Sequence, residues 1–181
     1  MHYNKACQPH KAVSRERGRY AMHLARFEHE EDDYGPVLVA TNGRILAVVP
    51  VTDCENDTAP SWIPPEALKE AAKGRGQEAE LSVNGSIRAV GKLATVEFPA
   101  IEDPGAFPSW RDMLRHLHAP EPVPVIGLNP HLLALAAEAI GVGKTEAVRL
   151  EFHGPQSPVL VRPVGVWNQA FALVMPCNLT P

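Results

Sequence analysis

The sequence has no cysteine pair. Its three cysteines, Cys7, Cys54 and Cys177, are odd in number, far apart and never in a CxxC spacing, so neither a zinc ribbon nor a disulfide framework is supported, and a reducing compartment fits. Long hydrophobic runs are missing as well. No stretch approaches the roughly 20 apolar residues of a membrane span, and the opening MHYNKACQPHKAVSRERGR lacks the apolar centre of a leader peptide. A cytoplasmic location without membrane attachment is therefore expected. Nor is there an excess of positive charge: the formal net charge is −4 and the pI about 6.1. That excludes a protein that coats nucleic acid indiscriminately but leaves room for a local basic face on an acidic body.

Catalytic signatures are absent too. The sequence contains no GxSxG, no HxxxH and no paired-carboxylate signature. GVGKT at 141–145 ends like a phosphate-binding loop, but the earlier glycine of that motif falls on Glu138, and the segment follows a helix rather than a strand. The chain thus reads as a binding protein with no cofactor and no metal, not as an enzyme. One acidic run keeps a different class open. Glu31, Asp32 and Asp33 could hold a cation and support a small metal-dependent hydrolase, or they could form a solvated turn between strands.

What is present is ordinary for a globular chain: 181 residues, 45% hydrophobic and 21% charged, enough for one substantial core or a domain and a half. Eighteen prolines fall between apolar runs and punctuate short elements. Residues 1–18 are polar and basic, with Lys5, Lys11, Arg15 and Arg17 (and Arg19 at the border), and read as a flexible solvated arm or a nucleic-acid contact. Residues 19–51 read as three strands, the first alternating through Tyr20, Met22 and Leu24, the last two joined at Asn42-Gly43, which accepts the positive φ angles of a tight hairpin.

Residues 60–99 read as a short strand ending at Trp62-Ile63, a helix, and three strands with a second turn at Asn84-Gly85. The helix has an apolar stripe of Ala67, Leu68, Ala71 and Ala72 and stops at Gly74. Residues 100–122 form a proline-rich linker with a helical turn in FPSWRDMLRHL. Residues 123–179 begin with a strand in PVPVIGLN, continue through a helix with Asn129 as N-cap and Pro130 at its first position, and end in three strands. The order βββ, (β)αβββ, βαβββ is an internal repeat of roughly sixty to seventy residues. The fold class is α+β, built of antiparallel sheets with two short helices packed on one side.

Several segments, in this order, resemble the bacterial DNA polymerase III beta subunit, the sliding clamp. VATNGRILAV is similar to that family's V-A-T-D-G-H-R-L-A, FPSWRDML to its F-P-D/E-Y-R-R-V/L linker, and FALVMPCNL to its terminal Y-V-V-M-P-M-R-L. LNPHLLALAAEAIG followed by VRLEFHGPQSPVLVRP resembles the helix and hairpin of the last repeat. The resemblance implies DNA-clamp-like βαβββ repeats, no catalysis, and an accessory role in replication or repair, as in polymerase processivity. It also implies a shortened clamp, with material for about one and a half domains and a first block lacking its leading strand and helix.

Two binding sites come with the resemblance. A hydrophobic cleft for short peptides of polymerase or repair proteins would draw on Thr41, Gly43, Arg44, Ile45 and Leu46 from the turn, and on Pro108, Asp112 and Met113 from the linker. The tail would add Leu173, Met175, Pro176, Cys177 and Leu179, although Leu173, Met175 and Leu179 also read as core residues of a last strand. Asp112 stands where the family commonly has a basic residue, and Cys177-Asn178 replaces Met-Arg. Duplex DNA would be held non-specifically by Lys69 and Lys73 on the first helix and Arg75 just beyond it, where Glu66 and Glu70 offset much of the charge. Exposed sheet edges imply a homo-oligomer. The alternative is a clamp-fold interaction or regulatory module that does not encircle DNA.

Overall fold

The computed structural model describes residues 1–179 except 17, 19, 31, 55–60, 103 and 166–168. The chain opens with strand β1 (His2–Asn4) and a 3-10 turn at Pro9–Lys11. Strands β2 (Ala25–Glu28), β3 (Val37–Thr41) and β4 (Ile45–Pro50) follow. Next come β5 (Ser61–Ile63), helix α1 (Pro65–Ala71), β6 (Glu78–Val83), β7 (Ser86–Val90) and β8 (Thr95–Pro99). Helix α2 (Trp110–Arg115) precedes α3 (Pro130–Ala139), β9 (Val148–Glu151), β10 (Val159–Pro163) and β11 (Phe171–Val174). No helix among the described residues is long and apolar enough to cross a membrane.

Local chemistry sets the turns. Between β3 and β4, Gly43 takes φ 82° while the Asn42 side chain accepts from the backbone N–H groups of Arg44 and Ile45, at 2.9 and 3.0 Å. Thr41 finishes this hairpin by donating its hydroxyl to the Ile45 carbonyl at 2.7 Å. Helix α3 starts as its sequence demands: the Asn129 side chain accepts from the N–H groups of His131 and Leu132, and Pro130 occupies the first turn.

All pairings within the two sheets are antiparallel. One sheet has the order β1-β6-β7-β8 and the other β5-β2-β3-β4-β11-β10-β9. In the four-stranded sheet β6 and β7 alternate buried and exposed residues, so one face meets water. In the seven-stranded sheet every residue of β3 and β11 is buried, as is β4 up to Val49. Both of its faces are therefore covered.

The inner faces of both sheets share one core. Phe27, Leu38, Ile45, Ala47 and Val161 meet Ala79, Leu81, Ile87 and Ala89 of the smaller sheet in that cluster. Helix α1 fills it with Ala67, Leu68 and Ala71, lying on β6, β7 and β8, and α3 adds Ala136, Ala139 and Ile140 over β4, β10 and β11. The small residues let both helices lie close to the sheets.

The first residues differ from the expected arm. Tyr3, Cys7 and Ala12 are buried in the same core, β1 pairs with β6, and the Pro9–Lys11 turn packs against both α1 and α3. Its charged residues meet partners at the surface, Lys11 with Glu138 and Lys5 with the Gly74 carbonyl. Arg17 and Arg19 lie outside the described residues. The first block therefore does have a leading strand, and the 3-10 turn stands where the other repeats carry a helix. Two strands shrink as well. β2 begins only at Ala25, because Leu24 N–H turns back to the Ala21 carbonyl. The expected strand in PVPVIGLN, 122–129, is reduced to one bridge between Gly127 and Cys177, since Pro122 and Pro124 cannot donate to a ladder.

Leu68 is fully buried and Leu93 is 93% exposed. Leu68→Ala should cost about 2–5 kcal/mol in urea denaturation, and Leu93→Ala less than about 0.5 kcal/mol. Equal losses would show that α1 does not seat on the smaller sheet as described.

Candidate functional site

The outer face of the seven-stranded sheet is lined by Val37 and Val39 of β3, Leu46 and Val48 of β4, Leu160 of β10, and Phe171 and Leu173 of β11, none more than 5% exposed. A sheet face this apolar needs a cover. The linker supplies it. Trp110, 1% exposed, sits at the start of α2 in the same cluster, and Phe107, Leu114 and Leu117 pack around it. Tyr34 meets the Trp110 ring edge-on at 5.1 Å, and Phe171 lies at 5.9 Å.

A buried polar cluster fixes the cover in place. The Trp110 indole N–H donates to Glu28 at 2.9 Å. The Arg111 guanidinium stacks on the Trp110 ring at 4.3 Å and donates to both Glu28 and Asp32, with Glu30 at 3.2 Å. Burial opposes the charge on Asp32, yet the hydrogen bond from Arg111 and the N–H groups of Tyr34 and Gly35 hold its carboxyl below the ordinary value. Burial likewise opposes the charge on Arg111, while Asp32 and Glu28 hold its pKa above the usual value. The acidic run is thus more than a solvated turn: Glu28, Glu30 and Asp32 are the counter-charge of the linker. The cation reading loses a ligand, because the Asp32 carboxylate is taken by Arg111. Glu31, its neighbour in that reading, lies outside the described residues.

The turn and the tail are brought together directly. Leu46 pairs with Leu173 and Ile45 with Val174, and the Met175 N–H donates to the Arg44 carbonyl at 2.8 Å. Leu46 and Leu173 face outward under the linker, whereas Ile45 faces the inner core, on the opposite side of the sheet. Thr41 is buried at the hairpin, with Gly43 and Arg44 exposed at its tip. In the linker Pro108 is half-buried, Met113 is exposed, and Asp112 is exposed and paired with Arg115 at 2.9 Å. The Ser109 hydroxyl and then Arg115 keep the Asp112 carboxyl below its ordinary value.

Met175 stays 42% exposed beside the turn, with Pro176 half-buried behind it. Cys177 and Leu179 run away from the turn towards Gly127, against which the Leu179 side chain lies. The expected cleft residues therefore split into a buried floor, Leu46 and Leu173, and an exposed rim, Arg44, Met113 and Met175. Leu160, Phe171 and Trp110 belong to the same apolar surface but were missed from the sequence. Their signal was the outward alternation of VLV in β10 and FAL in β11.

On the other side, Lys69 projects from α1, while the expected helical residue Lys73 and Arg75 lie exposed in the turn just beyond it, with Lys73 paired to Glu70 at 2.7 Å. The amino-terminal segment adds cations that the expected arm concealed. His10 of the 3-10 turn is pushed down to about 4 by burial and then by the nearby charges of Lys69 and Lys11. Lys5, Lys11 and Lys69 thus cluster around α1, with Glu70 and Glu138 interleaved.

No family model matches the chain, and no curated protein matches it. Solved structures do. The sliding clamp (DNA polymerase III subunit beta) of Bartonella birtlesii, solved with griselimycin, superposes with a TM-score of 0.68 at 16% identity over 99% of this chain and 66% of its own. The beta subunit of Borrelia burgdorferi gives 0.68 at 10% identity, covering 99% and 64%. The clamp of Bacillus subtilis gives 0.66 at 14%, again covering 99% and 64%. At these identities the likeness is one of fold: the chain has the sliding-clamp fold and spans just under two thirds of the length of these clamps.

Arg111→Ala removes the closer of the two cations at buried Glu28, leaving Arg26 at 3.4 Å, and should cost up to about 3–5 kcal/mol in chemical denaturation. The pH dependence has a defined sign. With the folded-state pKa of Asp32 below its ordinary 3.8, the stability it contributes is complete above about pH 4 and is lost as pH falls through the folded value. Asp32→Asn should therefore lower stability at pH 7 and flatten its fall in acid, read from denaturation midpoints across that range. An unchanged acid limb would detach Asp32 from the linker lock.

Proposed function

We propose that this chain is a clamp-fold accessory protein of DNA replication or repair, which acts by binding and not by catalysis. Its partners are short linear peptides of polymerase or repair proteins, held on the outer face where the Thr41–Leu46 turn, α2 and the tail converge. The observation that carries this reading is the β4–β11 pairing, which sets Arg44 and Met175 edge to edge above the floor of Leu46 and Leu173. The unbranched, polarizable side chains of Met113 and Met175 can adapt to different apolar residues, and the exposed Arg44 suits a peptide that carries an acidic or carbonyl group. The metal-dependent hydrolase reading loses support, because Asp32, one of its three carboxylates, is engaged by Arg111.

The helical face is the second part of the proposal. Lys69, Lys73 and Arg75, joined by Lys5 and Lys11, are placed to neutralise phosphates of duplex DNA without reading sequence. The pairing of Lys73 with Glu70 and of Lys11 with Glu138 favours a second reading, a clamp-fold module that binds partner peptides and does not encircle DNA. The free edges of the described sheets, β5, β9 and β8, are where copies of the chain would join into a homo-oligomer.

Fluorescence anisotropy with a labelled clamp-binding peptide tests the cleft. Met175→Ala should weaken binding about five- to tenfold, in the range of one truncated apolar contact; no binding by the unaltered chain rejects the cleft. Duplex DNA binding that falls steeply with salt, and that falls further in Lys69→Ala/Lys73→Ala, supports the DNA-facing role. Salt-insensitive, weak DNA binding with intact peptide binding selects the second reading, and light scattering that returns a strict monomer removes the homo-oligomer.

A further inference from the structure

We propose that His2, Asp53 and Glu78 form a binding site for a divalent first-row transition-metal cation, one that ties the amino-terminal strand to both sheets. The backbone brings these residues together from three separate segments. His2 exchanges two hydrogen bonds with Thr52, both 2.8 Å, so β1 is fastened to the segment that leaves β4 and Asp53 lies next to the contact. On its other side β1 pairs with β6, with Asn4 opposite Glu78 and His2 opposite Glu80. Tyr3 and Ala79, between them in the ladder, are both buried, which turns His2 and Glu78 to the outer surface.

The side chains then converge. His2 Nδ1 is 3.5 Å from Glu78 Oε2, and one ligand atom from each of His2, Asp53 and Glu78 lies within 4.8 Å of the others. A four-coordinate ion with bonds of about 2.1 Å needs ligand atoms about 3.4 Å apart, a gap that rotation of two exposed carboxylates closes. One imidazole nitrogen with two carboxylates is a donor set for zinc, manganese or cobalt, whereas calcium and magnesium prefer oxygen alone. His2 and Glu78 also line a concavity of about 420 Å³, together with Glu80 and Arg75, so the remaining coordination positions open to solvent. Two carboxylates facing one imidazole make a negative locus that a divalent cation neutralises.

The alternative is a plain His2–Glu78 ion pair with Asp53 nearby. Titration of the full chain with Zn²⁺ against a chromogenic chelator separates the two. The site should take up one equivalent, and Zn²⁺ should raise the thermal midpoint where the same concentration of Mg²⁺ does not. Asp53 has φ 50°, a conformation that Asn adopts readily, so Asp53→Asn removes the ligand and keeps the backbone. Asp53→Asn and Glu78→Gln should each weaken Zn²⁺ binding at least tenfold, and His2→Ala by more, with midpoints in chelator unchanged. Absence of saturable Zn²⁺ binding overturns the proposal. So does binding that survives Asp53→Asn and Glu78→Gln undiminished, which would place the ion on other histidines or the cysteines.

Discussion

The pairing of β4 with β11 is the contact on which the rest of this fold depends. It joins residues 45–48 to residues 171–174, and so fuses the first block of strands and the last into one seven-stranded sheet. Neither strand could lie at a sheet edge, because the residues of this pairing are buried on both faces. Ile45, Ala47, Ala172 and Val174 point to the inner core, and Leu46, Val48, Phe171 and Leu173 point outward. A one-residue slip of register would exchange these two sets, and each is matched to a different cover.

A sheet with two apolar faces has to be covered twice. On the inside, helices and the smaller sheet do this with many small side chains, as in any layered domain. On the outside, among the described residues, the cover is α2 and its flanks with Tyr34 beside Phe171, and α2 has six helical residues, too short to be stable on helix propensity alone. It holds because Trp110 is buried against the sheet and because Arg111 reaches Glu28 and Asp32 across the top of β2. A buried guanidinium is costly unless its hydrogen bonds are met, so the network acts more as a fixer of position than as a source of stability. The same arrangement decides what the candidate cleft can offer: a floor of Leu46 and Leu173 already buried in the cluster with Trp110, and a rim of exposed methionines and one arginine.

Local signals were the readable part of the sequence. Asn42-Gly43, Asn84-Gly85 and the Asn129-Pro130 start of α3 each specify their geometry within four residues, and each is found where expected. Turn, linker and tail were also legible as segments, from their likeness to clamp motifs. What was not legible depended on distant partners. Tyr3, Cys7 and Ala12 show no period, and their burial follows from packing of this segment against α1, α3 and the sheets. Asp32 reads as a cation ligand or part of a solvated turn, and Glu28 carries no signal, until Arg111, about eighty positions later, is brought beside them. Likewise Ile45 and Leu46 are adjacent in sequence, and only the pleat separates core from cleft.

The edges left by this arrangement carry a constraint of their own. Beside the β9 edge of the larger sheet, Arg149, Glu151 and Arg162 form a ladder of charges, with Glu151 at 2.8 and 3.5 Å from the two arginines. At the free edge of the smaller sheet β8 ends in Pro99, and Glu97 faces Arg88 at 3.8 Å. Charges and a terminal proline discourage indiscriminate strand addition. Any copy that joins these edges must therefore match sign as well as hydrogen-bond spacing. The apolar residues of β4 and β11 are buried within the chain itself, so a neighbour meeting these edges would meet their charges and open hydrogen-bonding groups and not the surface that joins the first and last blocks.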